Sequence, residues 1–165
     1  MRKRIKAVLL VLRHLELLEI KDPLTGALTW KEFLRIADRV LNRFKENKEV
    51  ISLLFLDADG LKTVNDTQGH RAGDLFIQKF AEAILTNIRP LDICGRRHGD
   101  GGDEFVLLLP GANLDNAEWV TQRIQKVFSN FSWGATSLGD KGDTLEFMIE
   151  RAEALMYRQK MAKRR

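Results

Sequence analysis

Val50-Ile51-Ser52-Leu53-Leu54-Phe55-Leu56-Asp57-Ala58-Asp59-Gly60 is the stretch on which the fold turns. From Val50 to Leu56 every side chain but Ser52 is apolar and the run is rich in strand formers, with no polar alternation. That pattern reads as a short strand buried on both faces, which implies helices above and below its sheet. The run stops abruptly at Asp57 and Asp59, so an apolar scaffold delivers two carboxylates to one strand end.

Upstream, residues from Trp30 to about Asn47 place Phe33, Leu34, Ile36, Ala37, Val40, Leu41 and Phe44 on one helical face, with Thr29 or a neighbour as the cap. Asp22-Pro23-Leu24-Thr25-Gly26 before it is a turn signal. Downstream, Leu75, Phe76, Phe80, Ala83, Ile84 and Ile88 mark a helix from about Gly73 to Ile88, closed by Pro90. Ile93-Cys94 and Glu104 to Leu109 read as a hairpin around the glycine-rich segment His98 to Gly102. A helix at about Asn113–Phe128, a strand at Phe131–Thr136 and a helix at about Thr144–Lys163 complete the chain. This order predicts an α+β fold: a ferredoxin-like, palm-type βαββαβ core whose mostly antiparallel sheet is flanked by helices.

The 165 residues are one domain's length, and 44% hydrophobic with 30% charged residues excludes disorder and low complexity. A net charge of +4 invites a nucleic-acid reading. However, residues 1–6 and 160–165 hold eight of the 27 basic residues and no acid, leaving 19 basic against 23 acidic elsewhere. The body is acidic, and no nucleic-acid partner is expected. The single cysteine, Cys94, excludes an internal disulfide and reads as a small buried side chain. Residues 3–20 place Val8, Leu9, Leu12, Leu15 and Leu18 at helical spacing. They form either one strand of a dimeric coiled coil or a helix that packs back on its own domain. The apolar run from Ala7 to Leu12 is too short to span a bilayer and lacks a cleavage site, so a cytoplasmic protein without a membrane span is expected. The chain divides into an N-terminal amphipathic helix, 1–21, for signalling or dimerisation, and a domain over 22–165.

Asp103 and Glu104, beside Gly101 and Gly102 in the hairpin, form a second acidic pair. Read alone, either pair is turn chemistry with solvated acids. Neighbouring strands of a ferredoxin-like sheet would bring the two pairs together. Clustered carboxylates repel, and such sites hold a hard cation such as Mg²⁺ on oxygen ligands. A dication among carboxylates points to phosphoryl or nucleotidyl transfer. Lys62, Asn65 and Asp74 just downstream of the first pair strengthen that reading.

Gly101-Gly102-Asp103-Glu104-Phe105 spells the signature of the GGDEF diguanylate cyclase family, a bacterial signalling family that the chain resembles along residues 22–165. Asp57 to Asp66 resembles its DxDxFKxxND segment, Gly69 to Asp74 its GHxxGD, Asp22 to Gly26 its DxLTG, and Ala152 to Arg164 its ADxALYxAKxxGR. The resemblance implies condensation of two GTP into cyclic di-GMP and two pyrophosphates across a homodimer. It assigns Mg²⁺, with Mn²⁺ as the alternative, to Asp57, the Ala58 carbonyl and Asp103. Asp103 would assist deprotonation of the 3′-hydroxyl, with Glu104 supporting the metal site. Lys62, Lys160 and Arg164 would meet the triphosphate, Asn65 and Asp74 would read guanine, and His70 would be structural or ribose-side. Gly101 and Gly102 would let the nucleotide approach the backbone. Arg89 and Asp92 match the inhibitory product site RxxD, which binds cyclic di-GMP. An upstream sensor domain or partner would supply the signal.

The chain departs from the family in places. Eight residues, Ile93 to Asp100, separate Asp92 from the signature, longer than the usual spacing. The usual arginine before the signature corresponds to Arg96, which leaves an insertion around Arg97-His98-Gly99. Thr29-Trp30, Leu61, Gln159 and Lys163 also replace the usual residues. The competing readings are a catalytically impaired domain that senses cyclic di-GMP or GTP, and a structural domain that pairs with a partner through its N-terminal helix.

Overall fold

The computed structural model describes residues 20–98, 102–139 and 143–163. The helix expected over 3–20 lies outside them except for its last residue, and so do Gly101 and Arg164. In chain order the elements are β1 (Leu28–Thr29), α1 (Trp30–Asn47), β2 (Ile51–Ala58), α2 (Leu61–Gln68), α3 (His70–Leu85), β3 (Ile93–Arg97), β4 (Glu104–Pro110), α4 (Leu114–Gln125), β5 (Phe131–Ser137) and α5 (Leu145–Lys163).

The strands form one sheet in the order β1-β3-β4-β2-β5. β3 with β4, β4 with β2, and β2 with β5 pair antiparallel, and only the short β1 runs parallel to its neighbour β3. This is the expected ferredoxin-like core, with β1 added at one edge. Every residue of β2 is buried. Leu54, Leu56 and Ala58 face Ile77, Phe80 and Ile84 of α3 and Val120 and Ile124 of α4. Ile51, Leu53 and Phe55 face Phe33, Ala37 and Leu41 of α1 and Met148, Ile149 and Ala152 of α5. Two helices on each face therefore explain why the strand shows no alternation.

Two expectations change. Residues 61–68 form a helix of their own, which the sequence hid because only Leu61 of that segment is buried. Gly60 and Gly69, at φ +94° and +83°, bracket α2 in backbone conformations that glycine adopts without strain. As a result α3 starts at His70, ahead of the expected Gly73. It also ends before Ile88, because Thr86 Oγ1 and the Asn87 side-chain amide donate to the carbonyls of Glu82 and Ala83. The Asn87 bond satisfies the Ala83 carbonyl, while the Glu82 carbonyl also takes the Thr86 backbone N–H.

Candidate active site

The ladder register lines up four residues, one per strand. Arg97 lies opposite Glu104, Glu104 opposite Asp57, and Asp57 opposite Ser132. Residues opposite one another share a sheet face, so the row runs across the face covered by α1 and α5. Asp103 joins it by backbone: its carbonyl accepts from the Ala58 N–H at 3.1 Å. From above, α5 lays Lys160 onto Asp57, and the same ammonium lies 3.9 Å from Asp59. Lys163 reaches Asp59 at 3.1 Å, and Ser132 Oγ lies 3.0 and 2.8 Å from the two Asp59 carboxylate oxygens.

The electrostatics follow from this crowding. Burial pushes the Asp57 carboxyl above its usual range; the bond from Lys160 opposes the rise, while Asp103 and Asp59 add to it. Glu104 is pushed up to about 6, chiefly by burial, with Arg97 opposing and Glu153, Asp57 and Asp103 adding. Its Oε2 is buried and takes no hydrogen bond from any described residue. Crowded, partly desolvated carboxylates with an unused acceptor fit a hard dication. Among the described residues no three acidic, histidine or cysteine side chains converge to cage a metal. Asp57, Asp103 and the Ala58 carbonyl, the set that the family resemblance implies for a cation, all lie at this end of the sheet.

The nucleotide-reading candidates gather beyond the end of β2. Asn65 lies on α2 and Asp74 on α3, and the two helices meet at Gly73. A Cβ on Gly73 would fall 1.9 Å from Asn65 Oδ1, so glycine is what lets the amide sit against α3. Lys62 and His70 are exposed in the first turns of these helices.

Arg89 and Asp92 are brought together at the opposite end of the sheet. Asp92 is buried and takes Arg89 Nη2 at 3.1 Å, while its other oxygen takes the Arg89 backbone N–H at 2.8 Å. Arg89 also donates to the carbonyl of Pro110, which pairs with Ile51 at the start of β2.

Sequence reasoning missed the buttress behind the signature loop. Arg96 is buried, donates to Asp22 Oδ1 at 2.9 Å and from Nε to the Gly102 carbonyl at 2.9 Å. Burial opposes the charge on Asp22, but bonds from Thr25 and Arg96 outweigh it and hold the carboxyl below its usual range. Gly102 adopts φ +68° with Arg96 Nη2 3.1 Å from where a Cβ would stand. The turn motif at Asp22 therefore braces the loop that carries Asp103. The signal available was the arginine pair Arg96-Arg97 directly after the apolar start of the strand, Ile93-Cys94. Cys94 is buried, and burial pushes its thiol up to about 12, as expected of an inert side chain.

Residues 19–165 match the family model described as Diguanylate cyclase, GGDEF domain. The response regulator PleD of Caulobacter vibrioides is 29% identical over 162 residues, 89% of this chain and 35% of PleD. The probable diguanylate cyclase DgcE of Escherichia coli is 32% identical over 121 residues, 73% of this chain and 11% of DgcE. The chain thus spans about a third or less of these relatives. Among solved structures, the coiled coil and GGDEF domain of DgcB from Caulobacter crescentus, in complex with c-di-GMP, superposes with a TM-score of 0.86 at 25% identity. That likeness covers 98% of this chain and 92% of the other. The diguanylate cyclase SiaD of Pseudomonas aeruginosa, in complex with its activator SiaC, gives 0.81 at 30% identity, covering 98% and 66%.

Proposed function

The chain belongs to the GGDEF-domain diguanylate cyclase family, and from that membership we propose that it condenses two GTP into cyclic di-GMP. Each 3′-hydroxyl attacks the α-phosphate of the other GTP, forming a phosphodiester bond and releasing pyrophosphate, so two copies of the domain must meet. The observation that carries this reading is the row of Glu104 and Asp57 on paired strands, with Asp103 bonded through its backbone beside them and Lys160 above.

A divalent cation held by Asp57, Asp103 and the Ala58 carbonyl would stabilise the developing alkoxide and the phosphate charge. Asp103 takes the hydroxyl proton, and Glu104 supports the metal site. Lys160 exchanges Asp57 for the triphosphate, joined by Lys62 and Arg164. Asn65 and Asp74 read guanine, because a carboxylate accepts from N1–H and the 2-amino group where adenine has no matching donors. Arg89 and Asp92 bind the product at the far end of the sheet. The likeness to a coiled coil joined to a GGDEF domain supports residues 1–21 as the pairing and input helix. A nucleotide-triphosphate substrate fits a cytoplasmic protein, and among the described residues no helix is long and apolar enough to cross a membrane.

The test is incubation with GTP and Mg²⁺ at a protein concentration high enough to dimerise, with products resolved by mass. Cyclic di-GMP is expected from the wild type, and none from a folded Asp103→Ala variant. Binding of cyclic di-GMP without synthesis would replace the cyclase reading with that of a sensor.

A further inference from the structure

Arg97 belongs to none of the roles assigned above, yet it occupies the end of the carboxylate row. It faces Glu104 across the β3–β4 ladder, with Nε 3.7 Å from Glu104 Oε2. Its other arm is committed, since Nη1 bonds Glu153 Oε2 at 2.9 Å. The guanidinium is clamped between two rings, 5.8 Å from the centroid of Trp30 and 5.6 Å from that of Phe55. Phe55 is fully buried, and Trp30 is stacked on buried Phe33 at 5.3 Å. Three separate contacts therefore fix the height of this cation beside Glu104.

The spacing to Glu104 is the informative quantity. At 3.7 Å the pair attracts electrostatically, while Oε2 takes no hydrogen bond from any described group. A carboxylate held this way is oriented by charge but keeps its acceptor capacity for a ligand. Were Arg97 free of Glu153 and the rings, its fork would close on Glu104 in the bidentate geometry that arginine prefers.

We propose that Arg97 is a positioning residue, held off by Glu153, Trp30 and Phe55 so that it orients the Glu104 carboxylate without consuming its lone pairs. The proposal rests on the reading of Glu104 as part of the catalytic carboxylate set. Arg97 closes β3 in register with Glu104, so the ladder itself sets the two side chains side by side.

The test compares Arg97→Met, which keeps an apolar stem against the rings, with Arg97→Lys and Glu153→Gln. All three are expected to lower kcat, Arg97→Met by about tenfold, with KM for GTP within about twofold of wild type. Arg97→Lys is not expected to rescue, because an ammonium lacks the planar fork and face. Unchanged kcat in Arg97→Met, or full activity in Arg97→Lys, overturns the proposal. A second readout needs no turnover: urea unfolding of wild type, Arg97→Met, Glu104→Gln and the double variant. Non-additive stabilities are expected, and additive ones overturn the pairing. If the wild type makes no cyclic di-GMP, the cyclase reading fails, and this cycle still decides whether Arg97 acts on Glu104.

Discussion

Glu104 costs the unliganded fold some stability, and the cost has a pH signature. Its carboxyl sits at about 6 in the folded chain against an ordinary 4.5. Between those values the folded chain keeps a proton that the unfolded chain has released, so stability falls as pH rises across the window. Glu104→Gln is therefore expected to stabilise the domain at pH ~7.5 by about 1 kcal/mol, discounted for partial exposure, and much less at pH ~4. Urea unfolding at the two pH values measures the difference. Gly73→Ala acts on the other cluster. The new methyl would overlap the movable end of the Asn65 side chain, so the amide must swing away while the backbone stays. KM for GTP is expected to rise about tenfold with little loss of stability, read by steady-state kinetics and a thermal melt. Asp57, Asp103 and Asp74 were legible because each sits in a contiguous motif. Glu153 and Lys163 were not, because their partners Arg97 and Asp59 lie 56 and 104 residues away in sequence.

Among the elements, α5 carries the most. With α1 it covers one face of the sheet, and it places Lys160 on Asp57 and bonds β5 through Gln159, whose Oε1 accepts the Trp133 N–H at 2.7 Å. Its approach is set at Gly134, where a Cβ would stand 2.1 Å from the Ala152 carbonyl oxygen and 2.4 Å from the Met156 nitrogen. Those are backbone atoms and cannot turn aside. Gly134→Ala is expected to lift α5 off β5, costing about 3 kcal/mol and weakening nucleotide binding together with stability. Denaturant titration and nucleotide affinity on the same sample check both. The buried strands and long helices were readable from periodicity, with α1 falling on the expected residues Trp30–Asn47. The short α2 and the two-residue β1 were not. One has a single buried side chain, and the other is defined by its pairing with Gly95 and Arg96 on β3 and a bridge to Lys21.

For the molecule as a whole, the two ends of the sheet are separate. The carboxylate row sits where β2 ends, whereas Arg89 and Asp92 sit where it begins, beside Pro110. Arg89→Ala is accordingly expected to abolish inhibition by added cyclic di-GMP while leaving the initial rate within about twofold. Progress curves with and without added product test this. Unchanged inhibition would remove Arg89 from the product site.

The row from Arg97 to Ser132 takes one residue from each of β3, β4, β2 and β5, and Lys160 arrives on Asp57 from 103 residues further along the chain. No hairpin or helix pair contains enough of the site to act. On the cyclase reading the site is complete only once α5 docks on the sheet, so product synthesis would report a domain folded through that helix.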